Sequence, residues 1–283
     1  MVRKRGPGFR RYGGQIYPDK DIHVAFSSCP NDTFMFHAML NNLVNTAGLS
    51  FTVCIDDVES LNRQAKKETH QVTKLSFAAW LRLKDKYDLL DSGAALGFGC
   101  GPLLVAGSKN LPVEEALVAV PGIDTTANML FDLRYPGAKN KKAVRFDEIL
   151  PGIRDGKFDA GVIIHEGRFV FQDYGCVQII DLGRWWEEET GLPIPLGCIA
   201  IRRDMETMAH KNRIESIIRD SVKYAFENPL ASRGYVRSLA REMDDDVIDE
   251  HIRLYVNEFT LRLGEKGREA VQKLEEMSRC RIL

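Results

Sequence analysis

The first two-thirds of the chain alternate short apolar runs with stretches in which apolar residues recur at helical spacing. The short runs predict strands at 22–26, 51–55, 72–75, 102–106, 116–120, 159–164, 177–181 and 196–201. The stretches between several of them predict helices at 33–41, 57–67, 124–134 and 147–155. Strands that alternate with helices are typical of βαβ units and of a mostly parallel sheet, so we expect an α/β fold.

The pattern changes after residue 204, where the strand signal stops. Residues 205–227 and 268–279 each place apolar side chains on one helical face. The C-terminal third is therefore predicted to be helical.

The order of the predicted elements also suggests two lobes. A polar segment at 107–112 ends one run of elements, and the strand at 196–201 leads back into the helical tail. The chain is thus expected to cross between lobes near 106–112 and near 199–204. We predict a flexible extension at 1–20, a first lobe formed by 21–108 with 203–283, and a second lobe at 109–202. A cleft between two lobes is a common site for a small molecule.

Composition narrows the class of protein. Of the 283 residues, 44% are hydrophobic and 28% are charged, which is sufficient for a substantial core. The net charge of −1 argues against general nucleic-acid binding. The basic N-terminal residues are not followed by an apolar signal region, and no apolar run approaches the ~20 residues that a membrane span needs. We expect a soluble, cytoplasmic protein; the sequence does not indicate its oligomeric state.

The six cysteines are scattered and form no C-x-x-C pair. We expect them to be reduced and structural rather than disulfide-bonded or metal-binding. The histidines also lack metal-binding spacing, so no metal site is predicted.

The segment 28–34 is the most informative part of the sequence. It follows the strand at 22–26 and starts a helix. Pro30 fixes one backbone dihedral of the turn, and Asn31, Asp32 and Thr33 are good helix N-cap residues. Open α/β sheets place their ligands at such strand ends, beside the free N–H groups of the new helix. An ordinary capped helix would explain the same residues.

A second candidate lies at the end of the strand at 159–164. This strand delivers His165 at its carboxyl end, where a neutral imidazole can act as a general base near neutral pH. Glu166 follows and could orient the imidazole. The alternative is a structural histidine that is satisfied by a hydrogen bond.

Two further strand ends carry polar side chains. Lys74 and Ser76 end the strand at 72–75, and Thr125 and Thr126 start the helix at 124–134. Hydroxyl and N–H groups at a helix start suit a carboxylate or another anion. Simple helix capping is the alternative for each pair.

The glycines at 97, 99 and 101 do not form a dinucleotide-binding motif. Their spacing is not G-x-G-x-x-G, and an apolar strand follows where that motif requires a helix. A P-loop, a G-x-S-x-G elbow and an H-E-x-x-H motif are also missing from the sequence. We therefore expect no nucleotide cofactor, and we attribute these glycines to an unusual turn or to a close approach of the backbone to a ligand.

Six segments in a fixed order resemble one known family. They lie at 27–34, 56–62, 72–79, 99–103, 165–169 and 255–259. Together they make the chain, from about residue 21 to about residue 275, similar to the 1,4-dihydroxy-6-naphthoate synthases of the futalosine route to menaquinone. The resemblance implies a type II periplasmic-binding-protein-like fold with two α/β lobes and a helical C-terminal segment.

The same resemblance implies an activity. The family's reaction is the cleavage of cyclic dehypoxanthine futalosine to 1,4-dihydroxy-6-naphthoate and dihydroxyacetone by a lyase that needs no metal or organic cofactor. It implies that His165 is the base and that Lys74, Ser76, Thr125 and Thr126 bind the small carboxylate substrate. By their positions, Asn31, Asp32 and Gly101 are expected to face the cleft as well.

Three other functions compete with this interpretation. A solute-binding protein of the same fold would be exported, and it would leave the His165 segment unexplained. Chorismate dehydratase, from the same pathway, shares the scaffold, but the segments at 99–103 and 165–169 favour the naphthoate synthase. A ligand-sensing domain of a regulator would carry a DNA-binding element or a basic patch, which the net charge does not support.

Overall fold

The computed structural model describes residues 9–12, 15–18, 20–240 and 244–279. Its strands are β1 (Phe9–Tyr12), β2 (Gln15–Pro18), β3 (Lys20–Phe26), β4 (Leu49–Ile55), β5 (Val72–Ser76), β6 (Tyr87–Leu89), β7 (Ala95–Gly97), β8 (Leu103–Ala106), β9 (Val118–Val120), β10 (Lys141–Ala143), β11 (Ala160–Ile163), β12 (Val177–Asp181) and β13 (Ile194–Arg202). Its α-helices are α1 (Pro30–Leu40), α2 (Val58–Lys66), α3 (Phe77–Arg82), α4 (Thr126–Arg134), α5 (Ile149–Arg154), α6 (Gly167–Val170), α7 (Leu182–Thr190), α8 (Met205–Met208), α9 (Lys211–Glu227), α10 (Arg233–Leu239), α11 (Asp245–Tyr255), α12 (Glu258–Leu261) and α13 (Gly264–Arg279).

Two larger sheets organise the chain, and both are mixed. The first has the order β4-β3-β5-β13-β6, with β7 also paired to β13; the second has the order β10-β9-β11-β8-β12. In the first sheet β3 runs parallel to β4 and β5, whereas β13 runs antiparallel to its partners. In the second sheet β9 runs parallel to β10 and β11, whereas β8 runs antiparallel to β11 and β12. The expectation of a mostly parallel sheet therefore holds only for three strands of each sheet.

The two strands next to the lobe crossings do not lie in the sheets that the predicted lobe boundaries imply. Strand β8, placed by sequence in the first lobe, hydrogen-bonds in the second sheet; β13, placed in the second lobe, hydrogen-bonds in the first. A crossing strand is apolar in either sheet, so the hydrophobic pattern does not distinguish the two assignments. From sheet membership we propose that the chain crosses at 98–102 and again at 191–193.

The C-terminal segment is helical, as predicted, and it packs on the first lobe. The predicted helix at 205–227 is divided into α8 and α9. Ser221 of α9 donates from its hydroxyl to the carbonyl of Met35 in α1 (2.6 Å) and accepts from the N–H of Met39 (3.0 Å). This buried contact fixes α9 against the helix that starts at the cleft. None of the helices in the described ranges is long and apolar enough to cross a membrane.

Eleven of the 20 residues of the predicted flexible extension at 1–20 lie outside the residues that the structure describes. Strands β1 and β2 are described, and they pair antiparallel. Of the six cysteines, Cys280 also lies outside the described part, and the other five are free thiols.

Two glycine backbones meet where the chain first crosses between lobes. A Cβ atom on Gly101 would lie 2.2 Å from the Cα of Gly183, in the first turn of α7, so neither position has room for a side chain. Arg168 donates to the carbonyl of Gly101 (2.7 Å) and pairs with Asp181, the N-cap of α7 (2.6 Å). The glycines and this arginine together fix the path of the chain at the crossing.

We predict that Gly101→Ala lowers the free energy of unfolding by about 1–3 kcal/mol, because the new methyl group meets backbone that cannot move aside. Gly107→Ala is the matched control, since a Cβ there would meet no atom within 4 Å. Urea unfolding of both variants measures the difference. Equal stabilities of the two variants would contradict the close approach.

Candidate active site

A cavity of about 80 Å³ lies between the two lobes, at the carboxyl ends of strands from both sheets. Seven of the eight predicted site residues line it: Asn31, Asp32, Lys74, Ser76, Thr125, Thr126 and His165. Gly101, the eighth, is not among the lining residues, although its neighbours Cys100 and Pro102 are. Gly101 lies instead at the lobe crossing, where the lack of a side chain lets its backbone approach that of Gly183 closely.

Helix α1 begins earlier than the sequence indicates, and Asn31 and Asp32 in its first turn line the cavity. The N-cap is Cys29 and Pro30 is the first helical residue, so Asn31, Asp32 and Thr33 occupy the first turn rather than the cap. Proline is well suited to this position because its missing N–H would have no partner there. The three residues predicted as caps are buried instead.

Asp32 and Lys74 form a buried ion pair at the floor of the cavity. The Lys74 Nζ lies 2.6 Å from Asp32 Oδ1, and Asp32 is fully buried. Asp32 also accepts hydrogen bonds from the backbone N–H of Ser27 (3.1 Å), the Ser27 hydroxyl (2.6 Å) and the Asn31 amide (2.9 Å). A Cβ atom on Gly197 would lie 3.0 Å from Lys74 Cε, so this glycine leaves room for the lysine.

His165 follows β11 in an unusual backbone conformation. Its φ angle is +56°, in the left-handed region that residues other than glycine seldom adopt. The Cys29 Sγ lies 3.4 Å from Nδ1, and the ring of Phe146 packs edge-on at 5.0 Å between centroids. Strained backbone of this kind often occurs at functional sites, and here it aims the imidazole into the cavity.

Burial keeps both His165 and Cys29 neutral. It lowers the pKa of His165 to about 4; Asp32 opposes this shift and Lys74 adds to it. Burial also raises the pKa of the Cys29 thiol. Cys29 is therefore a protonated thiol at neutral pH rather than a nucleophile. His165 carries a free lone pair at neutral pH, as a general base requires.

The predicted hydroxyl groups already have partners within the protein. Thr125 donates to the carbonyl of Gly122 (2.7 Å), and Thr126 donates to the carbonyl of Leu196 in the other lobe (2.8 Å). Ser76 accepts from the Asn62 amide (3.1 Å). In this arrangement the two threonine hydroxyls have no proton left for a ligand. The sequence identified these positions but could not reveal these bonds.

Ten of the residues that line the cavity were not among the predicted site residues, and three of them stand out. Tyr255, Ser27 and Gly197 all border the cavity. Tyr255 and Ser27 belong to two of the segments that carry the family resemblance, which is the signal that could have pointed to them. Gly197 follows from no sequence signal that we can identify. Within the described ranges, no group of three or more His, Cys, Asp or Glu residues is arranged to hold a metal ion.

Comparisons with known proteins give a consistent result. The model of a family described as "Menaquinone biosynthesis" matches residues 22–279. A relative from Thermus thermophilus is 44% identical over 253 residues, which is 89% of this chain and 92% of that protein. One from Streptomyces coelicolor is 43% identical over 258 residues, 89% of this chain and 91% of that protein. Both relatives are named 1,4-dihydroxy-6-naphtoate synthase.

Solved structures agree with the fold. A protein from Archaeoglobus fulgidus superposes with a TM-score of 0.86 at 36% identity, covering 92% of this chain and 97% of its own. The ligand-binding component of an ABC-type import system from Staphylococcus aureus gives 0.68 at 10% identity, covering 93% of each chain. The periplasmic aliphatic sulphonate binding protein from Escherichia coli gives 0.60 at 10% identity, also covering 93% of each. The chain therefore has the periplasmic-binding-protein-like fold that the resemblance implied.

The lowered pKa of His165 predicts a pH-dependent contribution to stability. The imidazole takes a proton near pH 6.5 when unfolded and near pH 4 when folded. Between these values the unfolded state binds more protons, so this contribution falls as the pH falls. We expect the free energy of unfolding of the wild type to drop more steeply from pH 6.5 to 4 than that of His165→Gln. Urea unfolding across this range measures the slopes, and parallel curves would contradict a lowered pKa.

The buried ion pair predicts strong coupling between its two residues. Lys74→Met leaves the Asp32 carboxylate without its cation, which should cost about 3–5 kcal/mol. Asp32→Asn should destabilise the protein similarly by isolating the lysine. The double variant removes both charges, so it should be far more stable than the sum of the single losses implies. Denaturant unfolding of all three variants completes the cycle; additive losses would show that the two charges do not interact.

Proposed function

The chain belongs to the menaquinone-biosynthesis family, and we propose that it is a 1,4-dihydroxy-6-naphthoate synthase. As such it is a carbon–carbon lyase that splits cyclic dehypoxanthine futalosine into 1,4-dihydroxy-6-naphthoate and dihydroxyacetone. The observation that carries this proposal for the site is a neutral imidazole that faces a buried lysine across the interlobe cavity. A biosynthetic role also agrees with the cytoplasmic location expected from the sequence.

His165 is the proposed base. Its free lone pair takes the proton of a hydroxyl group on the sugar-derived ring, and the oxygen keeps the electron pair. That pair forms a carbonyl as the adjacent carbon–carbon bond breaks in a retro-aldol-like step. The electrons of the broken bond pass to the second ring, whose aromatisation drives the reaction forward.

Lys74 is the proposed stabiliser of negative charge in this step. One of its three N–H groups is directed at Asp32, which fixes the side chain in place. The remaining N–H groups are available to an oxygen atom that gains charge as the bond breaks. A positioned cation in a water-excluded cavity stabilises such charge more strongly than water does.

The first turn of α4 is the proposed site for the substrate carboxylate. Thr125 caps this helix by accepting from the N–H of Asn128, and Thr126 and Ala127 line the cavity. The first N–H groups of a helix have no intrahelical acceptor, and the helix dipole favours an anion there. Both threonine hydroxyl protons are donated to carbonyl groups of the protein. The pair would therefore act through the backbone N–H of Thr126, which binds the carboxylate, and through Thr125, which caps the helix.

The lobes must separate to admit this substrate. The cavity of about 80 Å³ is well below the roughly 300 Å³ of pockets that hold drug-sized ligands. Contacts of Thr126 and Asp124 help to hold the lobes together in this state. Thr126 bonds across to Leu196, and Asp124 pairs with Lys66 (2.5 Å) and Arg82 (2.9 Å) of the first lobe. We propose that these contacts break on opening and re-form over the substrate, which excludes water.

The proposal predicts that purified protein incubated with cyclic dehypoxanthine futalosine yields 1,4-dihydroxy-6-naphthoate, detected by mass spectrometry. His165→Gln should lower the rate by about 100-fold or more, the usual size of general-base catalysis. His23→Gln, which changes an exposed histidine, is the control and should retain the wild-type rate.

Other outcomes would redirect the assignment. A folded His165→Gln variant with full turnover would remove His165 as the base. Tight binding of the substrate without any product would indicate a solute-binding protein. Neither binding nor product, together with consumption of chorismate, would indicate the dehydratase.

A further inference from the structure

His251 is a buried histidine whose ring nitrogens have no hydrogen-bond partner among the described residues. It lies in α11 of the C-terminal segment, is 1% exposed, and leaves both Nδ1 and Nε2 unpaired. Buried polar groups are nearly always paired, because an unpaired one loses its hydration and gains nothing in return. A residue that carries this penalty requires an explanation, and packing alone does not provide one.

The neighbours of His251 connect it to the cavity. Its ring centroid lies 6.0 Å from that of His165, with the two planes inclined at 38°. The ring of Tyr255, which lines the cavity, packs edge-on against His251 at 4.6 Å between centroids. His251 is therefore buried next to the proposed base.

We propose that His251 is a positioning residue for His165, accepting a hydrogen bond from the imidazolium that forms when His165 takes the substrate proton. This inference rests on the proposed function. The proton that leaves the substrate hydroxyl stays on His165, and in this proposal the other ring nitrogen of His165 then donates its N–H to the lone pair of His251. His165 returns this proton to the product when turnover ends, so His251 neither gains nor loses a proton.

The distance between the two rings suits this role. Two imidazoles joined by an N–H···N hydrogen bond lie roughly 5 Å apart between centroids. The observed 6.0 Å is about one ångström longer, so the two rings are not hydrogen-bonded in this structure. A small rotation of either side chain would close the gap once His165 carries a charge.

The groups around His165 show why such an acceptor is useful. Asp32, Lys74 and Asp57 act on its charge, and the Cys29 thiol contacts its ring. Asp32 and Lys74 oppose each other, so burial determines the outcome and disfavours the imidazolium. An acceptor next to the ring would stabilise the charged form during turnover without placing a net negative charge in the cavity.

His251→Phe tests the proposal, because it keeps an aromatic ring and removes both nitrogens. We expect kcat to fall about 10- to 100-fold, the loss that follows removal of one hydrogen bond to a charged group. KM should stay within about twofold, since the bond forms only after proton transfer. The unfolding temperature should stay the same or rise, because an unpaired polar group has been removed.

Matched variants separate positioning from packing. His251→Gln restores an acceptor and should recover part of the lost kcat, whereas His251→Leu should not; this pair keeps the test independent of how well the Phe variant folds. His70→Phe is the control: His70 is buried against Gln64 (2.6 Å), away from the cavity, and its loss should lower stability and leave kcat unchanged.

The titration of His165 followed by NMR gives a measurement without substrate. If the proposal holds, the midpoint in His251→Phe lies about 0.5 unit or more below that of the wild type, because the imidazolium has lost its acceptor. A wild-type kcat in His251→Phe would overturn the proposal. It would also be overturned if His251→Gln were as slow as His251→Leu and the His165 midpoint were unchanged in His251→Phe. If the wild type does not cleave the substrate, the proposed function fails while this titration still tests the pairing.

Discussion

The arrangement of the cavity depends on the buried ion pair between Asp32 and Lys74. Asp32 joins the end of β3 to the first turn of α1 through Ser27, and Lys74 brings the end of β5 to the same point. A carboxylate alone at the floor of the cavity would repel a carboxylate substrate and raise the pKa of His165. With its lysine, the pair adds little net charge, and burial is left to decide the state of the imidazole.

Several features of the site reduce stability, and each has a chemical consequence. His165 adopts a left-handed backbone conformation, His251 leaves two ring nitrogens unpaired, and the ion pair is removed from water. Such costs persist where the surrounding structure imposes them, most often at functional sites. Here the packed core that runs through both lobes and the contacts of Thr126 and Asp124 across the cleft supply that support.

The sequence was sufficient to predict seven of the residues that line the cavity because strand ends in such sheets meet at one edge. Apolar runs gave the strands, and the polar residues that follow them gave Lys74 and His165. It could not assign β8 and β13 to their sheets, because a crossing strand is equally apolar in either. Gly101 was predicted to face the cleft from its position in the sequence. Its contact with Gly183 could not be predicted in this way, because Gly183 belongs to a distant segment of the chain. His251 became a candidate only when folding placed it next to His165.

The decisive measurement is a crystal structure with bound 1,4-dihydroxy-6-naphthoate. We expect the product between the lobes, with its carboxylate about 3 Å from the N–H groups of Thr126 and Ala127 and a hydroxyl within hydrogen-bond distance of His165. Lys74 should lie beside a ring oxygen while keeping its contact with Asp32. Product bound outside the interlobe cavity, or turned with its carboxylate on Lys74 and no oxygen near His165, would contradict this expectation.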